Sequence, residues 1–339
     1  MTVRSLPPAA QLCGAYEVRS LQLGDGRSLA YAAMGPPLAQ AKLVCLYHHG
    51  VPASLVEAEP LAAAGAGLGV AVVAFDRPGM GGSTVDPAMS VASVVADAAA
   101  LLDHLQLAAA VQVGESGGAP YAAAFAALRP ERTAQLLLLA GLAATHGRQH
   151  RPLRRSLSSM DRWCMSLRAL GASHVINSLV KLAANRTPNM VKRGAGGTLG
   201  PCDAAFLRGN DAAKDWLLRF TQRAYMNGMR GVLRDYRVLA GDWGVDVGAV
   251  QARTAIWHGS GDRIVPPLHA EYYADAIPGS QLRLVEGEGH VSLVGLHGGE
   301  ILGDVLRWAE ARGQPSAEVV EVAAEPVAQP VLRAIEVCA

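Results

Sequence analysis

The chain is short of several things, and each shortage removes a class of function. Only 5% of its 339 residues are aromatic and 17% are charged, and the formal net charge is +1. A dedicated nucleic-acid binder needs a surplus of Lys and Arg to neutralise phosphates, so no nucleic-acid partner is expected. Cysteine is sparse and odd in number: Cys13, Cys45, Cys164, Cys202 and Cys338, with no C-x-x-C spacing. That pattern supplies neither a zinc ribbon nor a redox pair, and it suits a reduced, cytoplasmic setting. The longest apolar stretch, Leu61 to Phe75, is broken by Gly65, Gly67 and Gly69. It falls short of the roughly 18–20 residues that a membrane span requires, so no membrane insertion is expected. Residues 1–15 contain Pro7 and Pro8 and no sustained signal-type apolar core,. Lysine occurs only at positions 42, 181, 192 and 214, so arginine supplies 26 of the 30 basic residues.

What is present is apolar and periodic. Half of the residues are hydrophobic, enough to offset the entropy of ordering a large core,. Tyr16 to Leu23 and Ser28 to Met34 alternate apolar and polar around Asp25-Gly26, a hairpin signature,. Unalternating apolar runs follow at Lys42 to Tyr47, Val70 to Phe75, Val111 to Val113 and Gln135 to Ala140, and the sheet pattern returns at Thr254 to Trp257 and at Gln281 to Val285. Most of them end in glycine-rich turns. Such runs suit strands of a parallel sheet buried on both faces. Helical patterns lie between and after them at Val91 to Leu107, Gly118 to Leu128, Leu268 to Ala276 and His297 to Ala311. The expectation is an α/β fold with a mostly parallel sheet flanked by helices.

Between 143 and 240 the rhythm changes to helical stretches alone: Met160 to Leu170, Ala212 to Tyr225 and Gly231 to Leu239. This block reads as a helical cap inserted between core segments 1–142 and 241–312, with residues 313–339 a flexible tail or edge strand. The block holds 14 Arg and three Lys against five Asp and no Glu, a balance of +12 that leaves −11 elsewhere. Such a field would steer an anionic substrate, although a solvated arginine face is the simpler reading.

One pentapeptide carries chemistry: Gly114-Glu115-Ser116-Gly117-Gly118, after an apolar strand and before a helix. A serine on a strained strand-to-helix turn needs neighbours without side chains, and the turn lifts its hydroxyl clear of the sheet. Serine is a weak nucleophile and needs a base, which needs an orienting carboxylate. His290, in Gly287-Glu288-Gly289-His290, follows the last strand on a loop read as flexible, and Asp262 follows the strand before it. Parallel strands bring all three to one sheet edge. Glu286 and Glu288 stand too close to His290 to reach behind its ring, and no carboxylate follows Gly141.

The chain here resembles the α/β-hydrolase family, in its serine-hydrolase branch with a helical cap, from about Tyr16 to Ala311. The resemblance rests on His49-Gly50-Val51-Pro52, Asp76-Arg77-Pro78-Gly79-Met80-Gly81-Gly82-Ser83, Gly114 to Gly118, Gly261-Asp262-Arg263-Ile264-Val265-Pro266 and Gly289-His290. It implies a catalytic triad of Ser116, His290 and Asp262, with an oxyanion hole from the backbone N–H groups of Val51 and Gly117. It also implies that the Asp76-Arg77 loop is structural. Glu115 reads as a local hydrogen-bonding group, His258 as a packed core histidine, and His269 and His297 as surface or cap groups.

The expected function is cleavage of a carboxylic ester or thioester, uncharged or anionic, through an acyl-enzyme, with no metal and no organic cofactor. Carbon–carbon hydrolysis, perhydrolysis, acyl transfer, aminopeptidase activity and a non-catalytic ligand-binding role remain as alternatives. Haloalkane dehalogenases and epoxide hydrolases share the resemblance but use an aspartate nucleophile. The oligomeric state is not readable from the sequence.

Overall fold

The computed structural model describes residues 16–166 and 199–311. The 313–339 tail and the end of the helical stretch expected over 160–170 therefore lie outside the described residues. Eight strands form one sheet in the order β1-β2-β4-β3-β5-β6-β7-β8. They are β1 (Arg19–Gln22), β2 (Ser28–Met34), β3 (Leu43–His48), β4 (Val70–Phe75), β5 (Ala110–Glu115), β6 (Thr133–Leu139), β7 (Thr254–Gly259) and β8 (Gln281–Val285). The expected hairpin is β1–β2, antiparallel with Arg19 opposite Tyr31. β2 also runs antiparallel to β4, and every pairing from β3 to β8 is parallel.

The unalternating composition has its cause in two-sided burial. All residues of β3, β4, β5 and β7 are buried. Along β3 and β4 the side chains divide by period two between two apolar layers. Val44, Leu46, Val73 and Phe75 face one, and Cys45, Tyr47, Val72 and Ala74 face the other,. Helices close both layers. We number the described helices α1 (Glu59–Ala66), α2 (Val91–His104), α3 (Ala119–Leu128), α4 (Arg151–Ser156), α5 (Ser159–Ser166), α6 (Pro201–Leu207), α7 (Asp211–Ala224), α8 (Arg230–Ala240), α9 (Leu268–Ala276) and α10 (His290–Glu310). Val94, Leu101, Phe125 and Tyr273 of α2, α3 and α9 cover the first layer, and Leu61, Ile301 and Leu302 of α1 and α10 cover the second. At roughly 1.5–3 kcal/mol for each large apolar side chain fully buried, these layers dominate the stabilisation of the fold.

Between β6 and β7 the described residues are helical or irregular, with no strand. This segment is tied to the sheet by ion pairs of unequal exposure. Arg77 and Asp235 meet at 2.6 Å with both side chains fully buried. Arg219 reaches Glu59 and Arg223 reaches Asp76, at 2.6 and 2.7 Å. The loop after β4 is thus the buried charged network that the resemblance implied. Asp76 also accepts from the N–H groups of Leu55 and Gly82.

Two expectations are corrected. His290 does not lie on a flexible loop: it is the first residue of α10, which starts seven positions before the expected His297. His269 is not a surface group but is fully buried, with Nδ1 accepting from the N–H of Ala143. Among the described residues no helix is long and apolar enough to cross a membrane.

Candidate active site

β5 runs straight into Ser116, whose φ of +52° lies in the left-handed region. A non-glycine residue there costs on the order of 1–3 kcal/mol and persists only where its surroundings hold it. The surroundings are tight because the neighbours are glycines. A Cβ on Gly118 would stand 1.9 Å from the carbonyl oxygen of His48, and one on Gly114 would stand 2.6 Å from Cα of Ala119. Any side chain at either position would push α3 away from the sheet. The turn is also anchored from outside, since the carbonyl of Ser116 accepts from the N–H of Leu142 at 2.8 Å. Ser116 is 9% exposed.

The loop after β3 lies against this turn. A Cβ on Gly117 would approach Val51 N to 3.2 Å, and one on Gly50 would approach Cβ of Ser116 to 3.1 Å. The backbone of Val51 is therefore adjacent to that of Gly117, above the serine. The loop is fixed by charge on both sides. The N–H of Gly50 donates to Glu57 Oε2 at 2.5 Å, and the Arg77 guanidinium donates to the carbonyls of His49 and Gly50.

The base and acid positions meet directly. His290 Nδ1 lies 2.7 Å from Asp262 Oδ2. A carboxylate can only accept, so Nδ1 carries the proton and Nε2 is the acceptor in the neutral ring. Asp262 Oδ1 accepts from the N–H groups of Ile264 and Val265, both at 2.9 Å. Burial alone would raise the pKa of this carboxyl, but His290 and His258 override it and hold Asp262 well below the usual carboxylate range,. The imidazole responds in the opposite direction. Burial pushes it down, yet Asp262, Asp203 and Glu115 together raise it to about 9. Among the described residues the Ser116 hydroxyl makes no hydrogen bond, to His290 or to any other group. Glu115, next to Ser116, nevertheless feels the His290 charge.

Three supporting residues escaped the sequence reading. His258, read as a packed core histidine, is fully buried but also faces the acid. Its Nε2–H donates to the carbonyl of Val265 at 2.7 Å and stands 3.3 Å from Asp262 Oδ2. Asp203, on α6, accepts from the N–H groups of His290, Val291 and Ser292 at 3.0, 2.8 and 3.0 Å. It caps the helix that carries the base from 87 residues away, so no local pattern could announce it,. Glu57 sits behind the Gly50 loop, with its carboxyl pushed up by burial and then by Glu115. Tyr47 donates to Glu115, whose own carboxyl is raised by burial to about 7. Glu115 is thus hydrogen-bonded, though to a residue of the neighbouring strand and not to a local one. Glu288 is occupied by His297 Nε2 at 3.1 Å, and Glu286 is exposed. No group of three or more metal-ligating side chains gathers among the described residues.

Comparison with known proteins agrees with this fold. A sequence model described as the alpha/beta hydrolase fold matches residues 44–294. A stretch of 112 residues is 38% identical to epoxide hydrolase B of Mycobacterium tuberculosis, covering 32% of this chain and 31% of that protein. The match thus spans less than a third of that relative's length. Among solved structures, an alpha/beta hydrolase fold protein from Nakamurella multipartita superposes with a TM-score of 0.62 at 19% identity, over 88% of this chain and 100% of the other. An esterase from Exiguobacterium antarcticum gives 0.60 at 18%, over 86% and 97%. An epoxide hydrolase from Vigna radiata gives 0.63 at 18%, over 86% and 98%.

Proposed function

The chain belongs to the alpha/beta hydrolase fold family, and within it we propose a serine hydrolase that cleaves a carboxylic ester or thioester through an acyl-enzyme. The observation that carries this reading is the elbow: a serine at φ +52° on the edge where a buried histidine and aspartate are already paired. In the proposed reaction Ser116 Oγ attacks the carbonyl carbon while His290 Nε2 takes its proton. Asp262 holds Nδ1–H and stabilises the imidazolium. The N–H groups of Val51 and Gly117 face the oxygen that becomes negative, each worth on the order of 3 kcal/mol in the transition state. Collapse breaks the bond to the alcohol or thiol, which leaves with the proton from His290. Water, deprotonated by the same nitrogen, then releases the acid and restores Ser116. In this proposal the Ser116–His290 hydrogen bond forms when substrate fills the site, since such bonds commonly become aligned only in the substrate complex.

The named epoxide hydrolases raise a second reading. The elbow residue argues against it: a hydroxyl stands where the resemblance would require an aspartate nucleophile. The segment over 143–240 is the proposed cap, and a reduced cytoplasmic setting is part of the same proposal. Turnover of p-nitrophenyl esters from acetate to palmitate tests the function. Wild-type protein should release p-nitrophenol, and Ser116→Ala should lose roughly 10⁴-fold or more in kcat. A Ser116→Ala variant that keeps its rate would remove serine from the mechanism.

A further inference from the structure

Several of the described arginines meet carboxylates, as Arg77 does with Asp235, Arg219 with Glu59 and Arg223 with Asp76. Arg148, Arg151 and Arg154 do not: among the described residues none of the three has a carboxylate within 4.0 Å, and Arg154 donates to the Ser166 hydroxyl at 3.1 Å. All three line one cavity of about 600 Å³, together with Thr145, Ser166 and Ala240. The sequence leaves no acid to neutralise them locally. Residues 141–202 contain eight arginines and two lysines against a single carboxylate, Asp161. That carboxylate is already engaged, accepting from the Ser158 and Tyr236 hydroxyls.

The cavity adjoins the elbow along two lines of chain. Thr145 is three residues beyond Leu142, whose N–H binds the Ser116 carbonyl. Three residues reach no more than about 10 Å. Ala240 follows Leu239, whose Cδ1 lies 3.2 Å from where a Gly117 Cβ would stand. Three exposed guanidinium groups around one cavity, with no carboxylate partner among the described residues, form a receptor for a carboxylate or phosphate group,.

We propose that the Arg148–Arg151–Arg154 cavity seats an anionic group of the substrate, so that the preferred ester or thioester carries a carboxylate or phosphate several bonds from the carbonyl that Ser116 attacks. This rests on the hydrolase reading above and narrows its substrate class.

Two matched pairs test it and separate the sources of the anion. Mono-p-nitrophenyl suberate against p-nitrophenyl octanoate places a carboxylate on the acyl side. Octanoyl-phosphopantetheine against octanoyl-pantetheine places a phosphate on the leaving-group side. At low salt one anionic member should exceed its neutral partner at least tenfold in kcat/KM. That ratio should fall towards one in an Arg148→Gln/Arg151→Gln/Arg154→Gln variant, and in wild type as NaCl is raised. Ratios near one in the wild type for both pairs overturn the proposal, and so does a ratio that survives in the variant. Arg151→Glu gives a single-site check should the triple variant unfold. If no ester is turned over at all, the hydrolase reading fails separately, and calorimetry with suberate dianion and inorganic phosphate still decides the cavity. Binding lost in Arg151→Glu supports it, and no binding to wild type refutes it.

Discussion

His290 is where the charges of the site converge. Burial disfavours its cation, and so does the partial positive charge at the start of α10,. Asp262, Asp203 and Glu115 outweigh both and bring the imidazole to about 9. Because a general base works only when neutral, kcat/KM should rise with pH through an alkaline limb rather than one near 6.5. Asp203 acts here as a positioning residue, through the first turn of α10. Asp203→Asn should therefore move the rising limb to lower pH as well as reduce kcat, and a pH–rate profile reads both. A group that served only to hold the helix would lower the rate and leave the limb in place. The same shift bears on stability. A histidine whose pKa is raised on folding contributes stability that is complete below its unfolded pKa of about 6.5 and is lost as pH rises through about 9,. Urea titrations across that window should show a decline in wild type that His290→Gln lacks.

At the level of elements, the strand–turn–helix unit of β5, Ser116 and α3 depends on contacts too close for any side chain. Gly118→Ala would drive a methyl group into the His48 carbonyl. We expect it to cost more than about 3 kcal/mol or to prevent folding, as chemical denaturation or soluble yield would show. The fully buried Arg77–Asp235 pair, to which the Tyr121 hydroxyl also donates, joins the loop after β4 to α8. Asp235→Ala would leave a guanidinium buried without its partner and should cost about 3–5 kcal/mol in the same assay. The central strands were legible in the sequence because two-sided burial leaves unbroken apolar runs: Val70–Phe75 agrees to the residue. The partly exposed edge strand Gln281–Val285 also agrees, although it is neither unbroken nor buried on both faces. The start of α10 was not legible. Its cap is the carboxylate of Asp203 on another element, and Gly295, Gly298 and Gly299 thin the apolar pattern of its first turns. The helices α1, α4 and α6 were missed for a related reason: each is eight residues or fewer, about two helical turns at most, which gives the apolar pattern little room to repeat,.

Across the whole molecule, the uneven charge of the sequence resolves into pairing between two parts of the chain. Arginines of the segment between β6 and β7 reach acids of the sheet region, as Arg219 and Arg223 do at Glu59 and Asp76, and Asp235 is met by Arg77 in return. The sequence displayed the imbalance, but only the structure separates arginines that meet carboxylates from those that face a cavity. The candidate site was legible to a similar depth. Ser116, His290 and Asp262 stand in recognisable turns, whereas His258, Asp203 and Glu57 act through space and carry no local signature.

The central claim is that Ser116 is a live nucleophile. Its most direct test is reaction of the folded protein with a fluorophosphonate probe, read by intact mass and by mapping of the modified peptide, with Ser116→Ala alongside. The account predicts one adduct per chain, on Ser116, absent from the variant. A folded wild-type protein that stays unmodified, or one modified equally in the variant, would contradict it.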